Sequence, residues 1–176
     1  KRKFAGAFSD INNKDDRQLT LADFTGNRVI IEYFEPDSVA FPGELIVGSI
    51  SLAYRNLAEI ALNRIGVNCP DGEEWQVEKN SVCLMSFIEG NYAYNCTGSL
   101  VNNVREDGTP YFLTANHCIN SNSVARTLIT YFNYENKNCS SNDASLSNSL
   151  SGATMKASNA SSDFSLLLLS EYPPYE

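Results

Sequence analysis

The sequence predicts a mostly β protein, on three observations. Its apolar stretches are short, turn-forming residues interrupt them frequently, and several stretches alternate between apolar and polar residues. Hydrophobic residues make up 43% and charged residues 19% of the 176 residues, and these ordinary globular values exclude wholesale disorder, collagen-like and coiled-coil architectures. We therefore expect an all-β fold, in one domain or in two small ones.

The first third of the chain contains two strand candidates, residues 28–34 and 45–52, in which apolar side chains alternate. Pro36 lies in the turn-forming segment after the first of them, so the pattern predicts an antiparallel pair. Residues 58–62 are the one stretch compatible with a helical turn. The strand-rich segment then gives way to a loop that begins at Cys69. We therefore place a domain boundary near residue 66, which divides the chain into residues 1–66 and 67–176.

Seven further strands are predicted beyond this boundary. The turn at residues 106–110 separates two of them in the manner of a hairpin. The Asn- and Ser-rich residues 136–151 predict a surface loop. The strand candidates are residues 81–88, 92–95, 98–102, 111–115, 127–134, 153–157 and 164–169.

Charge and hydropathy exclude two classes of partner. The net charge of −8 repels phosphate backbones and anionic headgroups, so no nucleic-acid partner is expected. The longest aliphatic run, residues 166–169, falls far short of the ~20 residues that span a bilayer, so no membrane partner is expected either. Five cysteines without a Cys-x-x-Cys pair fit an oxidising compartment.

The only histidine of the sequence, His117, follows an apolar strand and directly precedes Cys118. Taken alone, this is typical of a half-buried histidine beside a structural cysteine. Two other segments favour chemistry: a strand that opens with Cys96, and Asp163 placed directly before an apolar strand. A carboxylate at the mouth of such a strand is costly to desolvate unless a donor binds it, and a histidine would supply that donor.

These segments resemble, in their order, the chymotrypsin-like serine proteases. The separation of 163 − 117 = 46 residues is also what that family typically leaves between its catalytic His and Asp. The closer resemblance is to the bacterial secreted lysyl endopeptidases. Residues 1–66 look like the β-rich prosegment of such precursors, a weaker match. The motifs that carry the closer resemblance are residues 68–72, 96–103, 111–118 and 161–167.

The resemblance implies a fold and a set of roles. Residues 67–176 would form the first six-stranded antiparallel β-barrel of the protease. His117 would be the general base and acid, and Asp163 would hold its tautomer and stabilise the imidazolium. The family's disulfides fall on Cys96 with Cys118 and on Cys69 with Cys139. Cys83 has no family partner, and we expect a buried free thiol there.

One departure from the family limits the expected activity. The sequence contains no Gly-x-Ser-Gly segment, the context of the family's nucleophile. We therefore expect a truncated, secreted endopeptidase precursor that acts on proteins or peptides after Lys or Arg, needs no cofactor or metal, and is inactive without its carboxyl-terminal protease half. Activation cleavage is expected between Arg64 and Ile65.

Two alternatives remain open at this level. Cys83, Cys96, His117 and Cys118 have the atoms of a zinc site, although adjacent His and Cys residues rarely both reach one tetrahedral metal. The chain could also be a non-catalytic, secreted β-sandwich binding module. His117 and Asp163 would then be a structural hydrogen-bonded pair.

Overall fold

The computed structural model describes residues 4–24, 26–53, 65–141 and 143–173. Within them lie seven strands, one short α-helix and three 3-10 turns, at Asp10–Asn12, Pro70–Trp75 and Glu78–Ser81. None of the helices in these ranges is long and apolar enough to cross a membrane. The elements are β1 (Val82–Glu89), β2 (Tyr92–Val101), β3 (Tyr111–Thr114), α1 (Asn122–Arg126), β4 (Ile129–Phe132), β5 (Ser149–Ser151), β6 (Ala153–Asn159) and β7 (Phe164–Leu169).

The strands form one antiparallel sheet in the order β5-β4-β1-β2-β3-β7-β6, and this sheet closes on itself. Its two end strands, β5 and β6, are separated along the chain only by Gly152. The Gly152 amide donates to Leu128 O at 2.7 Å, and its carbonyl accepts from the Ser170 amide at 3.0 Å. Residues 149–159 are thus one bent strand that pairs with β4 through its first part and with β7 through its second.

Counting that bent strand once, six strands form a closed ring of pairings, which confirms the predicted all-β barrel. Gly152 allows the bend because its φ of +80° is a conformation that residues with a side chain rarely adopt. A β-sandwich consists of two packed sheets, whereas these strands form one sheet. The β-sandwich fold of the binding-module alternative is therefore wrong.

The barrel interior is filled by side chains that alternate along the strands. On β1 and β7 every second residue is buried, the period of two that a half-buried strand requires. Phe112, Met85 and Leu167 are completely enclosed, and each contributes roughly 1.5–3 kcal/mol by leaving water. Helix α1 adds Val124 and Ala125 to the same core.

The packing of β2 against β3 leaves no room for a side chain at Gly98. A Cβ added there would overlap the Phe112 ring and lie 2.9 Å from the carbonyl oxygen of Leu113. We expect Gly98→Ala to lower the free energy of unfolding by about 1–3 kcal/mol, the usual cost of overpacking. Urea denaturation measures this loss. Gly48→Ala is the control, because its added Cβ meets nothing within 4 Å, and equal losses in the two variants would contradict the prediction.

The strands predicted beyond residue 66 are confirmed, with three differences. The candidates at 92–95 and 98–102 form the single strand β2, and the predicted loop at 136–151 ends in β5. Helix α1 was not predicted, because a five-residue helix carries too little periodicity to be recognised. Its amino-terminal cap is Ser121, whose hydroxyl accepts from the Val124 amide.

The antiparallel pair predicted for residues 28–34 and 45–52 is wrong. Both segments are described, neither contains a β-strand, and every described residue from 26 to 53 is exposed. An alternating pattern specifies a strand only where one face is buried, and nothing covers these side chains. The helical turn predicted at residues 58–62 lies outside the described residues.

The cysteines pair as the resemblance implies. One disulfide joins Cys69 to Cys139 across 70 residues, and the other joins Cys96 to Cys118 across 22. Cys83 is free and buried, as expected, and burial raises its pKa to about 12.

Candidate active site

The antiparallel pairing of β3 with β7 brings His117 and Asp163 together. β3 ends at Thr114, three residues before His117, and β7 begins directly after Asp163. Thr114 faces Ser165 across the two strands. The turn that leaves β3 and the residue that enters β7 therefore meet at the same end of the barrel, although they are 46 residues apart.

The Asp163 carboxylate holds both the backbone and the ring of His117. Its Oδ1 accepts from the His117 amide at 2.9 Å, and its Oδ2 lies 2.7 Å from His117 Nδ1. An ionised carboxylate only accepts, so Nδ1 carries the proton and Nε2 is left as the basic nitrogen of the neutral ring. The arrangement thus selects one tautomer and one orientation of the imidazole.

Neither member of the pair is buried in this chain. The side chain of His117 is 71% exposed and that of Asp163 is 50% exposed. Asp163 thus has the histidine donor that the sequence analysis expected, but its carboxylate is half exposed rather than desolvated. The pKa of Asp163 is nevertheless lowered, first by the hydrogen bond from the His117 amide and next by the bond from its ring.

We expect the pKa of the Asp163 carboxyl, measured by carbon-detected NMR titration, to lie below its usual value of about 3.9. His117→Ala should raise it, because the ring bond and the ring charge are lost. The pKa of Asp107, held at about 2 chiefly by Thr109 and Asn103, is the control and should not move. An Asp163 pKa that is the same in both proteins would contradict the prediction.

The lowered pKa of Asp163 makes the stability of the fold depend on pH. The folded-state pKa of Asp163 lies below the unfolded one. The pair therefore stabilises the fold above the unfolded pKa, and this contribution is lost as the pH falls through the folded pKa.

Ser165 is a site residue that the sequence analysis missed. It is completely buried, donates to Ile119 O at 2.5 Å and accepts from Asn116 Nδ2 at 3.3 Å. These bonds tie both sides of the His117 turn to β7. The sequence did place a serine within an apolar strand. A serine that is buried there needs a hydrogen-bond partner, and this requirement could have identified Ser165.

We expect Ser165→Ala to destabilise the fold by about 1–3 kcal/mol, because the buried Ile119 carbonyl loses this donor. Chemical denaturation measures the change. Ser158→Ala is a matched control: Ser158 faces Ser165 in the β6–β7 register but is exposed. A loss of stability no larger than that of the control would contradict the role assigned to Ser165.

The zinc alternative is wrong. Ligand atoms of Cys96, His117 and Cys118 do lie within 4.8 Å of one another. The two sulfurs, however, are joined as a disulfide, so neither is the thiolate that zinc binds. Cys83, the fourth residue of that set, does not belong to the group.

The fold and the site define a class: a disulfide-braced, six-stranded antiparallel β-barrel domain that carries an oriented histidine–aspartate pair at one end. A family model for the lysyl endopeptidase C-terminal domain matches residues 62–176, more than half of the chain. The chain belongs to that family, and it is therefore related to a family of proteases. The match begins five residues before the domain start predicted at residue 67 (67 − 62 = 5).

Proposed function

We propose that this chain supplies the histidine and the aspartate of a serine endopeptidase. The observation that carries the proposal is that the Asp163 carboxylate accepts two hydrogen bonds from His117, one from its amide and one from its ring Nδ1. In a Ser-His-Asp triad this is the task of the aspartate, which orients the imidazole and stabilises the imidazolium. Because the sequence contains one histidine, His117 is the residue that can supply the imidazole of such a triad.

His117 acts as the general base in this proposal, and afterwards as the general acid. Its Nε2 takes the proton of a serine hydroxyl as that oxygen attacks the peptide carbonyl, and it returns the proton to the leaving amine. Imidazole is the side chain that most often transfers protons in this way. The 71% exposure of the His117 side chain leaves room for a nucleophile and a substrate to approach.

The nucleophile comes from outside residues 1–176, because the sequence contains no Gly-x-Ser-Gly segment. The partner of this barrel is therefore the other half of the protease, which also carries the oxyanion hole and the pocket for the substrate side chain. The family membership supports cleavage of proteins and peptides after Lys, with Arg as the second candidate. No metal or cofactor is required by this chemistry.

The proposal also states how the chain is processed. Residues 1–66 are the prosegment of a secreted bacterial precursor, and residues 67–176 are the first barrel of the protease. Two disulfides support a destination outside the reducing cytosol. The proposed cleavage between Arg64 and Ile65 involves a residue outside the described ranges, and amino-terminal sequencing of the mature form tests it.

The test of the function is a comparison of two proteins on fluorogenic Lys and Arg amides. The chain of residues 1–176 should show no turnover, whereas the same chain joined to the sequence that follows Glu176 in its gene should hydrolyse one or both substrates. An inert longer protein would refute the proposal and leave a non-catalytic binding domain as the interpretation. Turnover by residues 1–176 alone would refute the need for an added nucleophile.

A further inference from the structure

Residues 14–23, here named the docking segment, lie against the barrel where its bent strand changes partner. Lys14 Nζ donates to Ser151 O at 2.5 Å and to Ser151 Oγ at 3.3 Å. The Ser151 hydroxyl in turn donates to Thr20 O at 2.8 Å. Ser151 is thus held at both its carbonyl and its side chain by two residues of the segment.

The segment also contacts the end of α1. Asp16 pairs with Arg126 through Oδ2 and Nε at 3.3 Å, and its side chain is only 12% exposed, although it lies in a region that is otherwise open to solvent. Thr20 Oγ1 donates to Arg126 O at 3.5 Å. An enclosed carboxylate is stable only when paired, so this ion pair indicates a specific docked position.

Strand β4 shows that the segment covers barrel surface. Cys83 and Met85 face Phe132 and Thr130, so Tyr131 lies on the outward side of the strand. Tyr131 is nevertheless completely buried and does not belong to the central core cluster. Its hydroxyl accepts from the Asp23 amide at 3.1 Å. The docking segment therefore supplies part of the cover over an outward-facing side chain.

The docking surface and the His117–Asp163 pair lie at opposite ends of β7. Asp163 directly precedes this strand, whereas Ser170 directly follows it and bonds to Gly152 beside Ser151. Seven residues of extended chain span roughly 20 Å. The exposure of His117 agrees with this separation, since nothing in the described part of the chain encloses its ring.

We propose that the barrel has a built binding surface for its own amino-terminal segment, and that residues 14–23 stay bound there after the chain is cut between residues 26 and 53. The bound segment stabilises the strand that closes the barrel and leaves His117 open. This inference concerns the fold and holds whether or not the chain takes part in proteolysis.

The experiment cuts the full chain at a recognition sequence for a site-specific protease, inserted between Gly48 and Ser49 in the exposed stretch. The two fragments should co-elute in size-exclusion chromatography at micromolar concentration. Their melting temperature should rise with concentration, because a ligand that binds only the folded state stabilises it by mass action. Fragments that separate at this concentration would overturn the proposal.

Variants identify the contacts. The double substitution Lys14→Met and Asp16→Asn should weaken the association of the fragments by about tenfold or more, since it removes bonds to charged groups. Tyr131→Phe should weaken it less, because it removes only one hydroxyl. The controls are Asp15→Asn, which changes the neighbouring exposed carboxylate, and Lys156→Met on the exposed face of β6. Equal affinity in the double variant and the controls would overturn the assigned surface.

The single histidine provides a separate readout for the open site. Diethyl pyrocarbonate acylates imidazole, and the ultraviolet absorbance of the acylated imidazole can come here only from His117. The modification rate should be the same with the amino-terminal fragment bound and with it removed. A slower rate in the presence of the fragment would show that the segment covers His117 and would overturn that part of the proposal.

Discussion

Replacing His117 with alanine in the complete protease should lower kcat by about 10⁶-fold, the loss measured for the equivalent change in a comparable triad. The reason is chemical: without an imidazole at this position the serine keeps its proton and the leaving amine receives none. His117 is the single histidine of the sequence, so no second imidazole can take over its role. Steady-state kinetics on a Lys amide measures the effect.

Asp163→Asn should lower kcat less, by about 10⁴-fold, because the ring remains but its preferred tautomer changes. An asparagine amide can present a donor to Nδ1, which then accepts, and the proton moves to Nε2, the nitrogen that must act as the base. The effect should be confined to kcat, since neither side chain is proposed to bind the substrate side chain.

The matched control for both substitutions is Glu106→Gln. Glu106 is an exposed carboxylate in the β2–β3 turn, at the opposite end of β3 from His117. The Glu106→Gln substitution removes one negative charge from the same barrel and leaves His117 and Asp163 unchanged. A loss of activity in this control as large as in Asp163→Asn, or unchanged kcat in His117→Ala, would show that the pair has no catalytic role.

The second large effect concerns stability. Replacing Cys69 and Cys139 together by serine should lower the free energy of unfolding by about 4 kcal/mol, because the open chain gains the entropy of a 70-residue loop. Replacing Cys96 and Cys118 should cost about 3 kcal/mol by the same argument, since that loop is only 22 residues long. Chemical denaturation of the two double variants under identical conditions gives both values.

The two disulfides should differ in a second measurement. Cys118 is adjacent to His117, so opening its disulfide loosens the turn that carries the imidazole, whereas Cys69 and Cys139 lie near neither His117 nor Asp163 in the sequence. The Asp163 pKa should therefore change only in the Cys96 and Cys118 variant. A change in the Cys69 and Cys139 variant alone, or unfolding free energies indistinguishable from the parent in both, would contradict this account.

Local sequence determined most of the barrel. The strand at Phe164–Leu169 was predicted to the residue, because its apolar run begins directly after the polar residues 161–163 and ends before Ser170. The hairpin turn at 106–110 was equally clear, and β2 does pair with β3. The chemistry-bearing residues were also predictable, since a single histidine and a carboxylate before an apolar strand are visible in the sequence itself.

Other features depend on contacts between distant residues and could be decided only by the tertiary structure. The closure of the ring at Gly152, the docking of Lys14 on Ser151 and the buried Ser165 each join segments that are far apart in the chain. The strands expected at residues 28–34 and 45–52 failed for the same reason, because an apolar alternation becomes a strand only when another strand and a core face it. The sequence by itself thus determined which side chains could do chemistry, whereas tertiary packing decided which segments become strands and that Asp163 meets His117.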